Sequence, residues 1–237
     1  MSGINGAQWL VRCLEAAGIT DAFGMAGHTN IALVDALCDS SIRYHSVRHE
    51  QVAAHAADAY FRVNRRPAAL ILHIGPGLAN AITGFGDAMA DGSGFVAIAG
   101  DVASFHQGKD ALQEIGLHAD AAQWEVARPL SKRAWKVTTV EGLLRHAPAA
   151  IRLSQAGRPG PVLLSVAMDV FSARTPDGTP AVPAFAPVFG GGGGTDTAIA
   201  RAAELLGVLT DPAAFPPSSG FWDVHEIYSG ATQAAHR

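Results

Sequence analysis

The chain has 237 residues, of which 49% are hydrophobic and 16% are charged. This apolar content is enough for a folded core and excludes global disorder. The formal net charge of −4 and the scattered basic residues give no electrostatic footprint for nucleic acid. The length allows either one large domain or one ordinary domain with part of a second.

Cysteine use and hydrophobic runs bear on where the protein works. Cys13 and Cys38 lie outside any CxxC or Cys/His cluster, which predicts two small buried thiols in a reducing compartment. The N-terminus lacks a basic segment followed by an apolar stretch, and no run reaches the ~18 apolar residues of a membrane span. We therefore expect a cytoplasmic protein with no membrane segment and no nucleic-acid partner.

Helical and strand-like patterns alternate from the N-terminus to about residue 170, and a helical stripe ends at Gly18. The predicted elements of the first half are a helix over 8–17, a strand over 19–23, a helix capped by Thr29 or Asn30 and ending at Leu37, a strand over 42–47, a helix over 50–63 and a strand over 68–74. The second half continues with a helix over 78–90, a strand over 95–99, a helix near 119–126, a strand near 134–137, a helix over 140–156 and a strand over 161–166.

The apolar run over 68–74 shows no solvent-facing alternation, which is typical of a strand covered on both faces. Strands separated by helices imply right-handed crossovers in a parallel sheet. The sequence therefore predicts an α/β fold with an open parallel sheet.

The pattern changes after residue 171. Residues 172–194 are rich in proline and end in five consecutive glycines, which indicates a linker. The glycines have neither the strand-to-helix context of a GxGxxG loop nor the lysine of a phosphate loop. Residues 195–237 begin with an amphipathic helix over 195–209 and then lack an element that could bury it. We predict a domain over 1–171, a linker over 172–194 and an incomplete central domain over 195–237.

Glu50 is the first candidate for chemistry. It follows a predicted strand and opens a helix, and ligands of parallel sheets bind beyond the carboxyl ends of the strands. A purely structural role stays open, because an acidic residue in a first helical turn stabilises the helix dipole by ~0.3–1 kcal/mol. Zinc binding is not favoured, since His49 and His55 are six residues apart and face different sides of a helix.

Gly75-Pro76-Gly77 predicts a tight strand-to-helix turn that would let a planar ligand approach the backbone. An ordinary βα turn explains the same spacing equally well. His73 and Asn80 flank this turn. Gln113 joins them only if residues 108–114 fold over the same edge of the sheet.

Several motifs occur in a fixed order: FGMAG at 23–27, RHEQ at 48–51, GPGLAN at 75–80, AGDV at 99–102, LQE at 112–114, SK at 131–132 and GRPGPVLLSV at 157–166. Together they resemble the pyrimidine-binding domain of thiamine diphosphate-dependent enzymes, above all the acetolactate synthase group with its related carboligases and 2-oxo-acid decarboxylases. The resemblance covers residues 5–171. It implies a three-layer sandwich, a dimeric assembly, a small 2-oxo-acid substrate and thiamine diphosphate held at its pyrimidine end.

The resemblance also implies roles for single residues. Glu50 would contact the aminopyrimidine ring nitrogen, where a carboxyl group that shares a proton with the ring activates the cofactor. It would need to lie in an apolar seam that faces another domain. The other matched positions lie beside the cofactor (Met25, Ala26, His73, Pro76 and Asn80) or near the substrate (Gln113 and Lys132).

Three positions depart from the synthase pattern. His73 stands where threonine or serine is usual, and Ala26 and Gly94 replace prolines. His73 could bind a carbonyl substrate, shuttle a proton, or be a strand-end histidine satisfied by the backbone. The departures weaken the match to acetolactate synthase itself more than the match to the superfamily.

The superfamily binds the cofactor diphosphate through a divalent metal on a second α/β domain with a GDG motif, and these 237 residues contain no such motif. Mg²⁺ is therefore expected only on an absent domain. Three hypotheses follow. The chain is the pyrimidine-binding part of a carboligase or decarboxylase, cut short near residue 207 and inactive alone; or it is a separate subunit, completed by a chain that carries the diphosphate-binding domain; or it is a non-catalytic dimerisation or regulatory module.

Overall fold

The structure is a computed structural model that describes residues 3–115, 123–176, 178–179 and 181–185, together with Thr197, Ala200, Arg201 and Glu204. The chain divides into two compact units, Met1–Val188 and Phe189–Arg237. The four described residues of the second unit are helical. The rest of the helix predicted over 195–209 lies outside the described residues, and the predicted domain and linker boundaries stay predictions.

Helices and strands alternate through the first unit, which confirms the predicted α/β fold. The helices are α1 (Gly6–Ala16), α2 (Ile31–Cys38), α3 (Glu50–Asn64), α4 (Gly75–Asp91), α5 (Trp124–Ala127), α6 (Val140–Gln155) and α7 (Met168–Ser172). The strands are β1 (Asp21–Gly24), β2 (Arg43–Ser46), β3 (Ala69–Leu72), β4 (Val96–Asp101), β5 (Arg133–Val137) and β6 (Val162–Ala167). Of the helix predicted near 119–126, residues 119–122 lie outside the described part.

The six strands form one sheet in which every pair is parallel, in the order β2-β1-β3-β4-β6-β5. All strands therefore begin at one edge, the amino edge, and end at the other, the carboxyl edge. β1 lies between β2 and β3, so the chain reverses its direction along the sheet there.

Two apolar cores cover the two faces of the sheet. One contains Ile71 and Ile98 with residues of α1, α2, α6 and α7, and the other contains Leu70 and Leu72 with residues of α3, α4 and α5. Neighbouring residues of one strand enter opposite cores because side chains alternate across a strand. Burial on both faces explains the unbroken apolar runs in the sequence, and the three layers confirm the predicted sandwich.

Local details differ from the sequence predictions in two places. α4 begins at Gly75 instead of Leu78, because Gly75, Pro76 and Gly77 form its first turn. Proline is tolerated there, since the first amide groups of a helix have no partner within the helix. Cys38 was predicted to be buried, which is wrong: as the last residue of α2 it is exposed, whereas Cys13 is buried as expected.

Candidate functional site

The candidate site lies at the carboxyl edge, where β1 and β3 end side by side. β1 continues into α2 on one face of the sheet, and β3 continues into α4 on the other face. The two connections diverge at this point and open a crevice, the usual ligand position in an open parallel sheet. Met25 and Ala26 follow β1, and His73 follows β3.

Glu50 is the first residue of α3, directly after the N-cap residue His49. Its side chain is buried, with 7% of the residue exposed. One carboxylate oxygen, Oε2, accepts a hydrogen bond of 3.0 Å from Nδ2 of Asn80 on α4. The structure therefore places these two predicted site residues in direct contact.

The first turn of α4 lies against the other carboxylate oxygen. A Cβ atom added to Gly77 would stand 3.0 Å from Oε1 of Glu50 and 3.1 Å from Cβ of His73. The missing side chain at Gly77 thus keeps a space beside the carboxylate that a methyl group would fill. Pro76 belongs to the same turn, so the GPG motif, Glu50 and His73 meet at one place.

His73 is hydrogen-bonded to a second histidine. Nε2 of His73 lies 3.0 Å from Nδ1 of His28, and the two ring centroids are 4.6 Å apart. Burial lowers the pKa of His73, the nearby His28 lowers it further, and Glu50 opposes these effects. His28 is not among the predicted site residues, because only the pairing of β1 with β3 brings the two loops together.

Asn30 fixes the loop that carries Met25 and Ala26. Its Oδ1 accepts from the backbone N–H of Gly27 at 2.8 Å, and its Nδ2 donates to the carbonyl oxygens of Met25 at 3.0 Å and Leu72 at 2.9 Å. Asn30 occupies the N-cap position of α2, but its side chain makes no capping hydrogen bond. The predicted capping role was wrong because the buried amide holds the loop to β3 instead.

Gln113 lies in a segment that folds over the start of α4. Its carbonyl oxygen packs so closely on Gly75 that a Cβ atom at Gly75 would overlap it. Gln113 has a φ of 65° and an exposed side chain. The Glu114 carboxylate accepts hydrogen bonds from the backbone N–H groups of Gly108 at 2.7 Å and Ala111 at 3.2 Å, which closes the segment. The segment therefore lies over the start of α4, and the role of Gln113 stays a prediction.

Gln123 is hydrogen-bonded to the first residue of the GPG turn and is not among the predicted site residues. Its Oε1 accepts from the Gly75 N–H at 2.7 Å, and its Nε2 donates to the Gly100 carbonyl at 2.9 Å and to Oγ of Ser165 at 3.0 Å. Ser165 in turn donates to Oδ2 of Asp101 at 2.9 Å. No local pattern could have marked Gln123, because its partners are distant in sequence and glutamine is usually exposed.

Lys132 does not join the other predicted site residues. It immediately precedes β5 and therefore lies at the amino edge, opposite Glu50. Its Nζ donates to the carbonyl oxygens of Leu153, at 2.7 Å, and Ala156 at the end of α6. Burial lowers the pKa of this ammonium group.

Within the described residues, no group of three or more His, Cys, Asp or Glu side chains is arranged to hold a metal ion. None of the helices described is long and apolar enough to cross a membrane.

Comparison with known proteins identifies the family. The profile of the thiamine pyrophosphate enzyme N-terminal TPP-binding domain matches residues 4–123. The acetolactate synthase isozyme 2 large subunit of Escherichia coli is 36% identical over 167 residues, which cover 70% of this chain and 29% of that protein.

Two further relatives have similar identities to the chain. The probable acetolactate synthase large subunit of Methanocaldococcus jannaschii is 35% identical, over 70% of this chain and 27% of its own length. Acetolactate synthase 2, chloroplastic, of Nicotiana tabacum is 38% identical, over 70% of this chain and 24% of its own length. The match thus spans less than a third of each of these relatives. The chain belongs to the thiamine pyrophosphate-dependent enzyme family, and it matches the N-terminal TPP-binding domain of acetolactate synthase-like members.

Proposed function

We propose that the chain supplies the pyrimidine-binding part of a thiamine diphosphate-dependent carboligase or decarboxylase that acts on a small 2-oxo acid. The observation that carries the proposal is the buried Glu50 carboxylate. One of its oxygens is held by Asn80 and the other lies beside the space above Gly77. A helix-dipole role alone would need neither the burial nor the Asn80 contact.

The residues at the carboxyl edge fit the pyrimidine end of thiamine diphosphate. Glu50 and Asn80 offer a carboxylate and an amide to a planar nitrogen-containing ring, and the Gly77 backbone leaves room for that ring to approach. The loop of Met25 and Ala26 and the Pro76 turn border the same crevice. When bound, thiamine diphosphate supplies a carbon nucleophile for addition to carbonyl groups.

Each protein group has a separate task in this proposal. Oε1 of Glu50 would share a proton with a ring nitrogen of the bound cofactor, while Asn80 orients the carboxylate through Oε2. Burial excludes water from this proton. Gln113 follows a closed segment over α4 and is the residue of this chain that we place nearest the substrate.

The diphosphate requires a further domain that binds Mg²⁺, in a partner chain or in further sequence. A homodimer, or a chain that carries this domain, would cover the crevice. Lys132 reaches a substrate only where another chain brings a site to the amino edge. We place the assembled enzyme in the cytoplasm.

Calorimetry tests the proposal. The part of the Escherichia coli relative that follows the matched segment is supplied to this chain, and thiamine diphosphate with Mg²⁺ is titrated into each protein and into the mixture. We expect strong binding only in the mixture, and binding weakened by Glu50→Gln. Glu141→Gln is the matched control, because Glu141 is an exposed acidic residue in the first turn of α6.

Three results would count against the proposal. Absence of binding in every combination would contradict the cofactor assignment, and equal binding by wild type and Glu50→Gln would contradict the role of Glu50. Strong binding by the lone chain would show that no further domain is needed.

A further inference from the structure

The His28–His73 pair joins the two loops that border the crevice. His73 follows β3 and His28 lies in the loop after β1, and their ring nitrogens are 3.0 Å apart. A Cβ atom at Gly27 would overlap Cδ2 of His73, so the glycine makes room for the pair. This hydrogen bond joins two imidazoles, whereas His45 and His55 each pair with an aspartate.

The pair leaves one nitrogen free at each end. The Cδ2–Nε2 edge of His73 faces Gly27 and His28, so Nδ1 lies on the opposite edge of the ring. Within the described part of the chain, no hydrogen bond is formed by this Nδ1. At the other end, His28 is exposed, and its Nε2 is the nitrogen that does not contact His73.

The surroundings of His73 favour the neutral form of its ring. His28 from the β1–α2 loop and Glu50 from α3 are the titratable groups that act on His73. Burial and the neighbouring imidazole outweigh the carboxylate, so the pKa of His73 is lowered. Two neutral imidazoles 3.0 Å apart share one N–H between the facing nitrogens, with His28 as the donor in one pair of tautomers and His73 as the donor in the other.

We propose that His28 and His73 form a proton relay that carries protons between water and the candidate cofactor site. The relay rests on the proposed function, since the carbonyl substrate receives the proton. A substrate oxygen that gains negative charge takes the proton from Nδ1 of His73, and Nε2 of His73 takes the proton of Nδ1 of His28. Nε2 of His28 then takes a proton from water and leaves hydroxide.

In this step one O–H bond forms on the substrate, one O–H bond of water breaks, and no electrons are transferred. Both rings begin and end neutral, in exchanged tautomers. The relay therefore never places a charged imidazolium in the half-buried crevice, where desolvation would oppose it. His28 acts as a positioning residue, because it reaches the substrate only through His73.

Nitrogen NMR of the full chain tests the relay without cofactor. In uniformly ¹⁵N-labelled protein at pH 7–8, we expect all four ring nitrogens of the pair to show shifts between those of protonated and bare nitrogens. Such averaging means that both tautomer arrangements exchange rapidly. In His28→Asn, whose amide can hydrogen-bond but cannot relay a proton, we expect His73 to adopt one fixed tautomer and its pKa to rise.

His49→Asn is the matched control, because asparagine can serve as the N-cap of α3 and His49 lies outside the pair. It should leave the His73 signals unchanged. A single locked tautomer in the wild type, or a His73 titration unaffected by His28→Asn, would overturn the relay.

The calorimetric titration on the same samples separates this inference from the proposed function. Loss of cofactor binding in the wild-type mixture would refute the function while the nitrogen shifts stay averaged. Locked shifts would refute the relay while cofactor binding persists.

Discussion

Two buried aspartates at opposite edges of the sheet are held by different kinds of partner. Asp21 opens β1 at the amino edge, and Asp101 ends β4 at the carboxyl edge. Asp21 accepts hydrogen bonds from Arg43 at 3.1 Å and contacts Nε2 of His45 at 2.8 Å. Asp101 accepts only from neutral donors among the described residues, the Ser165 hydroxyl at 2.9 Å and the Val102 N–H at 2.9 Å.

The difference appears in the acidity of the two groups. Burial raises the pKa of Asp21, but the hydrogen bonds from His45 and Arg43 outweigh it and hold the pKa far below the usual range. Burial also raises the pKa of Asp101, and the bonds from Ser165 and Val102 do not offset it. The buried carboxylate at the amino edge is thus hydrogen-bonded to a guanidinium group, whereas Asp101 at the carboxyl edge has no cationic hydrogen-bond donor among the described residues.

Glu50 belongs with the carboxyl edge, because its bound oxygen accepts from the neutral amide of Asn80. A carboxylate with a cationic partner is stabilised in its ionised form and has a lowered pKa. A carboxylate held by neutral donors can still share a proton with a ligand. We therefore expect the amino edge to stabilise the fold, and under the proposed function the carboxyl edge carries the chemistry.

The largest expected effect is on turnover, which should depend on the carboxyl edge and not on the amino edge. In the enzyme assembled with the diphosphate-binding part, we expect Glu50→Gln to lower kcat roughly 10²–10⁴-fold, because glutamine cannot transfer the proton. Asp21→Asn should leave kcat unchanged, since Asp21 lies at the far edge. Steady-state turnover of a small 2-oxo acid measures both. Equal losses in the two variants would remove the functional distinction between the edges.

The second prediction concerns stability, where we expect Asp21→Asn to have a larger effect than Glu50→Gln. Asp21→Asn should lower the free energy of unfolding by about 1–3 kcal/mol at pH 7, because the ionic hydrogen bonds to Arg43 and the contact with His45 are lost. The folded pKa of Asp21 is lowered, so its contribution is present above the unfolded pKa of ~3.9 and is lost as the pH falls through the folded pKa. Urea unfolding at pH 7 and pH 3 should show the deficit shrinking in acid.

Asp35→Asn controls for the loss of one negative charge, because Asp35 is exposed on α2. It should change the free energy of unfolding by less than ~0.5 kcal/mol. A deficit for Asp21→Asn that is as large at pH 3 as at pH 7 would mean that the carboxylate charge does not stabilise the amino edge.

The sequence predicted the elements and edges of this fold better than the contacts at the site. Apolar runs and helical stripes are local, so the strand ends that carry Glu50 and His73 could be located in advance. The partners of polar groups could not, because the hydrogen bond from Gly75 to Gln123 joins residues 48 positions apart. His28 was missed for the same reason, since the order of the strands and not local spacing sets its contact with His73.

The third prediction concerns the slope of stability with pH. The folded pKa of Asp101 is raised, so its contribution is fully present below the unfolded pKa of ~3.9 and is lost as the pH rises through the folded pKa. We expect the advantage of wild type over Asp101→Asn to shrink from pH 4 to pH 7, opposite to the slope for Asp21. Ser165→Ala should shift this loss to higher pH, because it removes a hydrogen bond that lowers the pKa of Asp101. Parallel slopes for the two aspartates would contradict the comparison.

The smallest effect is expected at Lys132, the predicted site residue that lies at the amino edge. Lys132→Met should lower the free energy of unfolding by roughly 0.5–1 kcal/mol, because the ammonium group no longer binds the carbonyl oxygens of Leu153 and Ala156 at the end of α6. The thioether side chain keeps the packing of the lysine stem against Gly160. Thermal unfolding measures this loss, and calorimetry should find cofactor affinity unchanged, since Glu50 lies at the opposite edge.

The KM of the assembled enzyme then decides between two roles of Lys132. An unchanged KM would restrict Lys132 to holding α6 beside β5. A raised KM would instead indicate that a second chain brings the substrate to the amino edge, because within one chain Lys132 contacts only groups that stabilise the fold.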